Sequence, residues 1–364
     1  ERRRFRLSPE EFASINPNTL TCPVLRSAAD ARLVARLGAR LPVLRSAGGE
    51  GSGWSVRLST MFHKSADSEL LREAIEVEGR ADFLPVHEGE LGHQFNHREA
   101  RYQAGRFVRS TDDWLADPTN RVSTAVYCAL DDFVARCEAM KLGGEPCRSA
   151  FLGFRRVARS TDERTAIACL FPWQPSTYGW ILTLGETAAN MALLCGLYNS
   201  LVFDFLLRNK LSQPSIPQGT FEQVQVVSRR DISHADAKFL GSRVLALSCV
   251  SVDMDPFLSE VLSDQPEWDT RDPAMPRYRW QADARPRIRA ELDAWYAHLY
   301  GLTRDELRYV LDPADVLGED YPSETFRVLK KNEIAQYGEY RTARLVLEAW
   351  DRFVEPARRV GGNA

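Results

Sequence analysis

The stretch ETAANMALLCGLYNSLVFDFLL, from Glu186 to Leu207, is the most apolar run in the chain. Its apolar residues leave hardly any polar face, which is typical of a helix buried on all sides by the rest of a protein. No stretch of the chain offers the roughly 18 or more uncharged apolar residues of a transmembrane helix. The sequence therefore predicts one central helix at 186–207, around which the other elements pack, and no membrane span.

The segments on either side of this helix differ in character. Before it, short apolar or alternating runs predict strands near 54–62, 83–86, 149–159 and 164–172. After Asp231, helical patterns predominate at 235–247, 286–300, 303–311 and 326–350. We therefore expect an α+β protein, with a mixed α/β domain at 1–230 and a mainly helical C-terminal domain at 231–364.

The composition fits a globular protein and excludes several classes. The 364 residues are 44% hydrophobic and 27% charged, with a net charge of −3, so the chain is not strongly basic overall. Seven cysteines without a C-x-x-C pair indicate reduced, buried thiols in a cytoplasmic protein. The N-terminus has no signal-peptide core, and it begins without methionine, which suggests either a fragment of a longer chain or a processed or trimmed chain.

The segment FLPVHEGELGHQFNHREARY, from Phe83 to Tyr102, concentrates three of the six histidines. His93 and His97 are four residues apart, as in a helical zinc pair, but Gln94 stands where the H-E-x-x-H motif needs its glutamate. Two glycines in the segment also favour a loop over a helix. We expect hydrogen-bonding or structural histidines and no metal. A metal-dependent hydrolase using His93 and His97 is the alternative.

The sequence contains no recognisable catalytic motif, but it has a basic stretch, FRRVARSTDERT, from Phe154 to Thr165. A nucleophile elbow, a phosphate-binding loop and a dinucleotide fingerprint are all missing, so no catalytic residue is assigned. Arginine forks and hydroxyl groups bind phosphates, and arginines also bind guanine edges. The competing interpretation is a strand edge with solvated arginines. Gln94, Asn96, His97 and Arg98 likewise carry side chains able to contact bases or phosphates.

The order of several segments, rather than any one of them, carries a family resemblance. They are NPNTLTCPVLRSAADARL, WSVRLSTMFHKSADSELL, FLPVHEGELGHQFNHREARY, FRRVARSTDERTAIACLFP, NMALLCGLYNSLVFDFLLRNKL, AELDAWYAHLYGLTRDELRYVLD and GEDYPSETFRVLKKNEIAQYGEYRTARLVLEAW. This series resembles the C-terminal part of large adenine-N6 DNA methyltransferases of the Eco57I-like class, which carry a TaqI-like specificity domain. That class includes restriction–modification enzymes and phage-defence methylases.

The resemblance implies a module that recognises a specific double-stranded DNA sequence, with 1–230 as its target-recognition (specificity) domain. In that family an upstream domain holds S-adenosylmethionine and an N-P-P-[FY] loop, whereas Asn16-Pro17 is followed here by Asn18-Thr19. The expected partners are double-stranded DNA, an upstream methyltransferase domain or subunit, and other defence-system subunits. A non-catalytic protein-interaction subunit is a further alternative. The expected DNA-binding residues are Gln94, Asn96, His97, Arg98, Arg155, Arg156, Arg159, Thr161, Arg164 and Lys210.

Overall fold

A computed structural model describes residues 5–48, 51–141, 147–319, 321 and 324–361. Helices dominate both ends of the chain, and strands lie between residues 57 and 184. The α-helices are α1 Pro9–Ile15, α2 Ala28–Arg40, α3 Asp112–Ala116, α4 Leu130–Ala139, α5 Ala188–Asn199, α6 Leu201–Arg208, α7 Gln218–Glu222, α8 His234–Ser248, α9 Asp255–Asp264, α10 Arg285–Leu299, α11 Arg304–Leu311, α12 Pro313–Leu317, α13 Arg327–Tyr337, α14 Arg341–Ala349 and α15 Glu355–Gly361.

The strands form three small antiparallel sheets. They are β1 Arg57–Ser59, β2 Leu71–Glu73, β3 Phe83–Pro85, β4 Ala100–Gln103, β5 Arg106–Arg109, β6 Val126–Ala129, β7 Ala150–Arg155, β8 Ala168–Pro172 and β9 Trp180–Leu184. The largest sheet has the order β1-β9-β7-β8, the second has the order β2-β6-β3, and β4 pairs with β5 alone. Together with the helical C-terminal region, these sheets confirm the expected α+β class.

The apolar run at 186–207 is buried as predicted, but it is two helices and not one. The chain bends by 61° between α5 and α6. Ser200 takes an extended conformation there, and its side chain accepts the backbone N–H of Phe203, so it caps the second helix. No single described helix is long and apolar enough to cross a membrane, although α5 and α6 together pass that test of length and composition.

The core joins the largest sheet to the helices that follow residue 231. Helix α5 packs on β7 and β8 and also against α8 and α9, while α10 packs against α6, α8 and α14. One continuous apolar cluster contains residues from α2, from the sheet and from the C-terminal helices. The division at residue 230 stays a prediction, and the residues on its two sides share this core.

Two helices begin with a capping box, whereas some expected elements are shorter than their patterns. The capping boxes pair Ser8 with Glu11 and Thr303 with Glu306. The strand predicted at 54–62 is reduced to β1, and Gly338, at φ 76°, ends α13 inside the helix predicted at 326–350. Strands β4, β5 and β9 were not anticipated from the sequence.

Candidate nucleic-acid interface

The HQFNH segment, His93 to His97, is a tight turn and not a ligand-bearing helix. His93 and Asn96 exchange backbone hydrogen bonds of 2.8 and 3.0 Å, and Phe95 occupies the left-handed region at φ 59°. The tip of the turn docks on the start of β8, where Gln94 Nε2 donates to the carbonyl of Ala166 at 3.0 Å. The two histidines are therefore not presented on one helix face, as the zinc pair requires.

The imidazole of His97 has a carboxylate partner within the protein, Asp253. Its Nε2 lies 3.0 Å from Asp253 Oδ2, and Ser251 donates to the other carboxylate oxygen. Burial would raise the pKa of Asp253, but the charge and hydrogen bond of His97 outweigh it and hold that pKa well below its usual range. Among the described residues, no group of three or more His, Cys, Asp or Glu side chains could hold a metal ion.

Arg98 is fully buried and organises a neighbouring loop. Its guanidinium donates to the carbonyls of Asp117 and Asn120, at 3.0 Å each, and to that of Leu115 at 2.9 Å. These bonds fix the segment that follows α3. Arg98 therefore has an internal structural role, and none of its side chain is exposed for the contact with DNA that the sequence predicts.

Other residues predicted to contact DNA are also buried, and their donors bind internal acceptors. Gln94, Asn96 and His97 are buried, and Asn96 Nδ2 donates to Glu99 at 3.0 Å. Lys210 is buried too, donating to the Ile15 carbonyl and to Asn16 Oδ1, and burial lowers its pKa to about 7.

The basic stretch 154–165 divides between interior and surface. The guanidinium of Arg155 donates to the carbonyl of Gly92, and Arg164 forms an ion pair with buried Asp204 at 2.8 Å. Both are therefore held by internal partners. Arg159 and Thr161 are exposed, and Arg156 is partly exposed. Of the predicted residues, only these last three have surface side chains that make no hydrogen bond or ion pair with the described part of the chain.

Arg156 belongs to an exposed stack that the sequence did not reveal. Its guanidinium lies 5.2 Å from the ring centroid of Tyr178. Tyr178 in turn stacks on His63, with centroids 4.9 Å apart and an angle of 13° between the rings. Tyr178 is 39% exposed, so the stack offers a cation and an aromatic surface to solvent. Such pairs bind nucleic-acid bases and phosphates.

Strands β4 and β5 form a two-stranded ribbon with an exposed tip. Their register pairs Ala100 with Arg109 and, at the tip, Gln103 with Arg106. Ala104 and Gly105 make the turn with φ 48° and 82°, as in a two-residue type I′ hairpin turn. Gln103 and Arg106 share one face because cross-strand partners do, and both are exposed.

The ribbon is anchored at its base. Tyr102 packs against Phe107 with ring centroids 5.3 Å apart, and the Tyr102 backbone exchanges hydrogen bonds with Ser123. Arg109 forms an ion pair with Glu99 at 2.9 Å while its side chain stays 84% exposed. The tip residues therefore project from a fixed base instead of a loose loop.

A cleft of about 1180 Å³ opens beside the base of the ribbon. The turn at 93–99 and the end of β5 line one side, and helices α10, α13 and α14 line the other. His93 lies in its wall, where burial and then the charges of Arg155 and Arg289 lower its pKa to about 3. His93 is therefore neutral at physiological pH.

The ribbon carried a readable signal in the sequence. The run RYQAGRFVR, from Arg101 to Arg109, places Ala-Gly between two short segments that contain aromatic residues, a pattern typical of a hairpin. The cleft had no such signal, because its two walls come from distant parts of the chain, 93–115 and 280–345.

No protein-family model matches this sequence, and no curated protein or solved structure shows significant similarity to it.

Proposed function

We propose that this chain is the double-stranded DNA recognition region of an adenine-N6 DNA methyltransferase that acts in the cytoplasm, in restriction–modification or phage defence. The family resemblance suggests the proposal, and one structural observation supports it most directly. This observation is the exposed ribbon β4–β5, with Gln103 opposite Arg106 at its tip.

The ribbon has suitable dimensions and chemistry for reading base edges. The major groove of B-DNA, about 12 Å wide, admits a two-stranded β-ribbon. In that groove glutamine pairs with the edge of adenine and arginine with the edge of guanine, each worth about 1–3 kcal/mol of discrimination. Gln103 and Arg106 are thus candidates for direct readout.

Exposed arginines and one hydroxyl group elsewhere would supply contacts to phosphates. Arg109 at the base of the ribbon is one, and Arg156, Arg159 and Thr161 provide a second group at the surface. Such contacts add affinity without sequence preference, and they make binding depend steeply on salt. Methyl transfer would need an upstream domain or subunit that binds S-adenosylmethionine.

A duplex-binding assay on a library of DNA sequences, titrated with salt, tests the proposal. We expect measurable affinity at low salt and a preferred sequence. Arg106→Ala should relax that preference by about 1–3 kcal/mol at one position. Arg159→Ala should weaken binding to all sequences and reduce the salt slope by about 0.9, the contribution of one phosphate contact. Arg32→Ala, which removes an exposed arginine of α2, is the matched control.

Two outcomes would overturn the proposal. One is that no duplex binds at low salt, which would favour a protein-interaction subunit. The other is that Arg106→Ala and Arg159→Ala both behave like Arg32→Ala.

A further inference from the structure

The cleft beside the ribbon contains an arginine whose guanidinium makes no hydrogen bond or ion pair with the described part of the chain. Arg289 lies on α10, half-buried in the cleft wall. Within the described residues its guanidinium donates no hydrogen bond and forms no ion pair. A guanidinium has five N–H donors and keeps its charge in proteins. The donors of Arg289 are therefore available to a ligand.

The neighbouring arginines differ from Arg289 because their donors are engaged. Arg285, one turn earlier on α10, donates to the carbonyls of Leu247 at 2.7 Å and Phe95 at 3.3 Å. Arg164, across the cleft wall, pairs with Asp204. Both cations raise the positive potential near Arg289, and burial followed by the charge of Arg164 lowers the pKa of Arg289.

The acids of the cleft that act on Arg289 are held by neutral donors. Glu333 accepts from the backbone and hydroxyl of Thr342 at 2.7 and 2.6 Å. Glu163 accepts from Asn332 at 2.9 Å. Asp293 accepts from the backbone of Leu201 at 2.8 Å. These carboxylates lower the positive electrostatic potential of the cleft, but they do not accept hydrogen bonds from Arg289.

Two aromatic side chains with exposed surface, Tyr337 and Trp280, line the same cleft. Tyr337 is 45% exposed and has the guanidinium of Arg341 4.8 Å from its ring centroid. The Trp280 ring lies under Arg285 at 3.8 Å. Flat rings beside cations are surfaces on which nucleobases stack. The volume, about 1180 Å³, slightly exceeds the 300–1,000 Å³ typical of small-molecule sites.

We propose that this cleft binds a nucleoside phosphate, with its phosphate on Arg289 and its base stacked on the exposed ring of Tyr337. The ligand is either a free nucleotide or a nucleotide of a single strand, since both present the same chemistry. This site is separate from the ribbon tip and does not depend on the proposed reading of duplex DNA.

Isothermal titration calorimetry of the whole chain with adenosine monophosphate, adenosine and a short single-stranded oligonucleotide tests the site. We expect the monophosphate or the oligonucleotide to bind, and adenosine to bind at least about tenfold more weakly than the monophosphate, since charge-assisted hydrogen bonds are worth about 1.5–3 kcal/mol. Arg289→Gln should reduce phosphate-dependent binding by a similar factor. Arg287→Gln, which removes an exposed arginine of the same helix outside the cleft, should leave it unchanged.

A second variant tests the contact to the base separately from the contact to the phosphate. Tyr337→Ser, at an exposed position, should weaken the binding of adenosine monophosphate and leave the binding of inorganic phosphate unchanged. Binding of the oligonucleotide but not of the monophosphate, lost in Arg289→Gln, would identify the strand as the source. Binding of neither, or binding that Arg289→Gln leaves unchanged, would overturn the proposal.

Failure of this site can be told apart from failure of duplex recognition. Arg106 lies at the ribbon tip and does not line the cleft, so Arg106→Ala should leave nucleotide binding unchanged. Loss of duplex recognition with intact nucleotide binding would contradict only the proposed function.

Discussion

Arg164 Nε donates to Asp204 Oδ2 over 2.8 Å, and Arg208 Nε donates to the other oxygen of the same carboxylate over 2.6 Å. Asp204 is fully buried and also accepts the backbone N–H of Thr165 at 3.1 Å. Burial would raise its pKa, but the charges of Arg208 and Arg164 outweigh burial and lower it. One carboxylate of α6 therefore holds two cations at the junction with the basic stretch.

We expect Asp204→Asn to destabilise the protein by about 3–5 kcal/mol, because it leaves two largely buried guanidiniums without a charge partner. Denaturant unfolding curves measure the change. Asp264→Asn, at an exposed position in α9, is the control and should stay within about 0.5 kcal/mol of the parent. Equal stability of the two variants would contradict the role given to Asp204.

The turn of the ribbon offers a prediction in the stabilising direction. Ala104 has φ 48°, a conformation that costs a residue with a Cβ roughly 1–2 kcal/mol and that asparagine tolerates better. Ala104→Asn should therefore slow the opening of the ribbon, whereas Gly105→Val should accelerate it. Native-state hydrogen exchange of the amides of residues 100–109 measures both effects. Faster exchange in Ala104→Asn would contradict the prediction.

Helix ends and half-buried strands could be predicted because their signals are local. The capping boxes at Ser8 and Thr303 needed only neighbouring residues. The break at Ser200 was missed because a serine inside an apolar run resembles an ordinary helix position until its cap is seen. Strand β9 is buried on both faces, so it lacks the alternation that identifies a strand.

The residues of the site were harder to predict, because residue type does not report burial. Gln94 and Arg98 have side chains suited to contact DNA, yet the fold uses their donors on backbone carbonyls. Arg159 and Thr161, in the same basic stretch as Arg164, are exposed. Within that stretch, the packing of α6 decides which side chains are buried and which are exposed.

The structural role of Arg98 and the surface role of Arg106 can be separated by experiment. Arg98→Lys cannot reproduce the fork that contacts three carbonyls, so we expect a loss of roughly 3 kcal/mol of stability. The salt slope of DNA binding should not change in the folded variant. By contrast, Arg106→Ala should alter the base preference of DNA binding but change the stability by no more than about 0.5 kcal/mol. Unfolding curves and binding isotherms on both variants check this. A changed salt slope in Arg98→Lys would contradict its interior role.

The buried carboxyl group of Asp293 should make the free energy of unfolding depend on pH. Burial raises its pKa from 3.8 to about 6, although Arg164, the hydrogen bond from Leu201 and Arg289 act in the opposite direction and Asp204 reinforces the rise. Between about pH 4 and pH 6 the folded protein keeps a proton that the unfolded chain has lost, so this contribution to stability declines as pH rises through that window. The decline is at most about 3 kcal/mol, since one pKa unit corresponds to about 1.4 kcal/mol. Asp293→Asn keeps the acceptor for Leu201 but does not titrate. The measurement is the free energy of unfolding of both proteins at several pH values. The parent should lose stability relative to the variant across this window, and the two curves should run parallel above about pH 7. A parent-minus-variant difference that grows with pH would contradict the assignment.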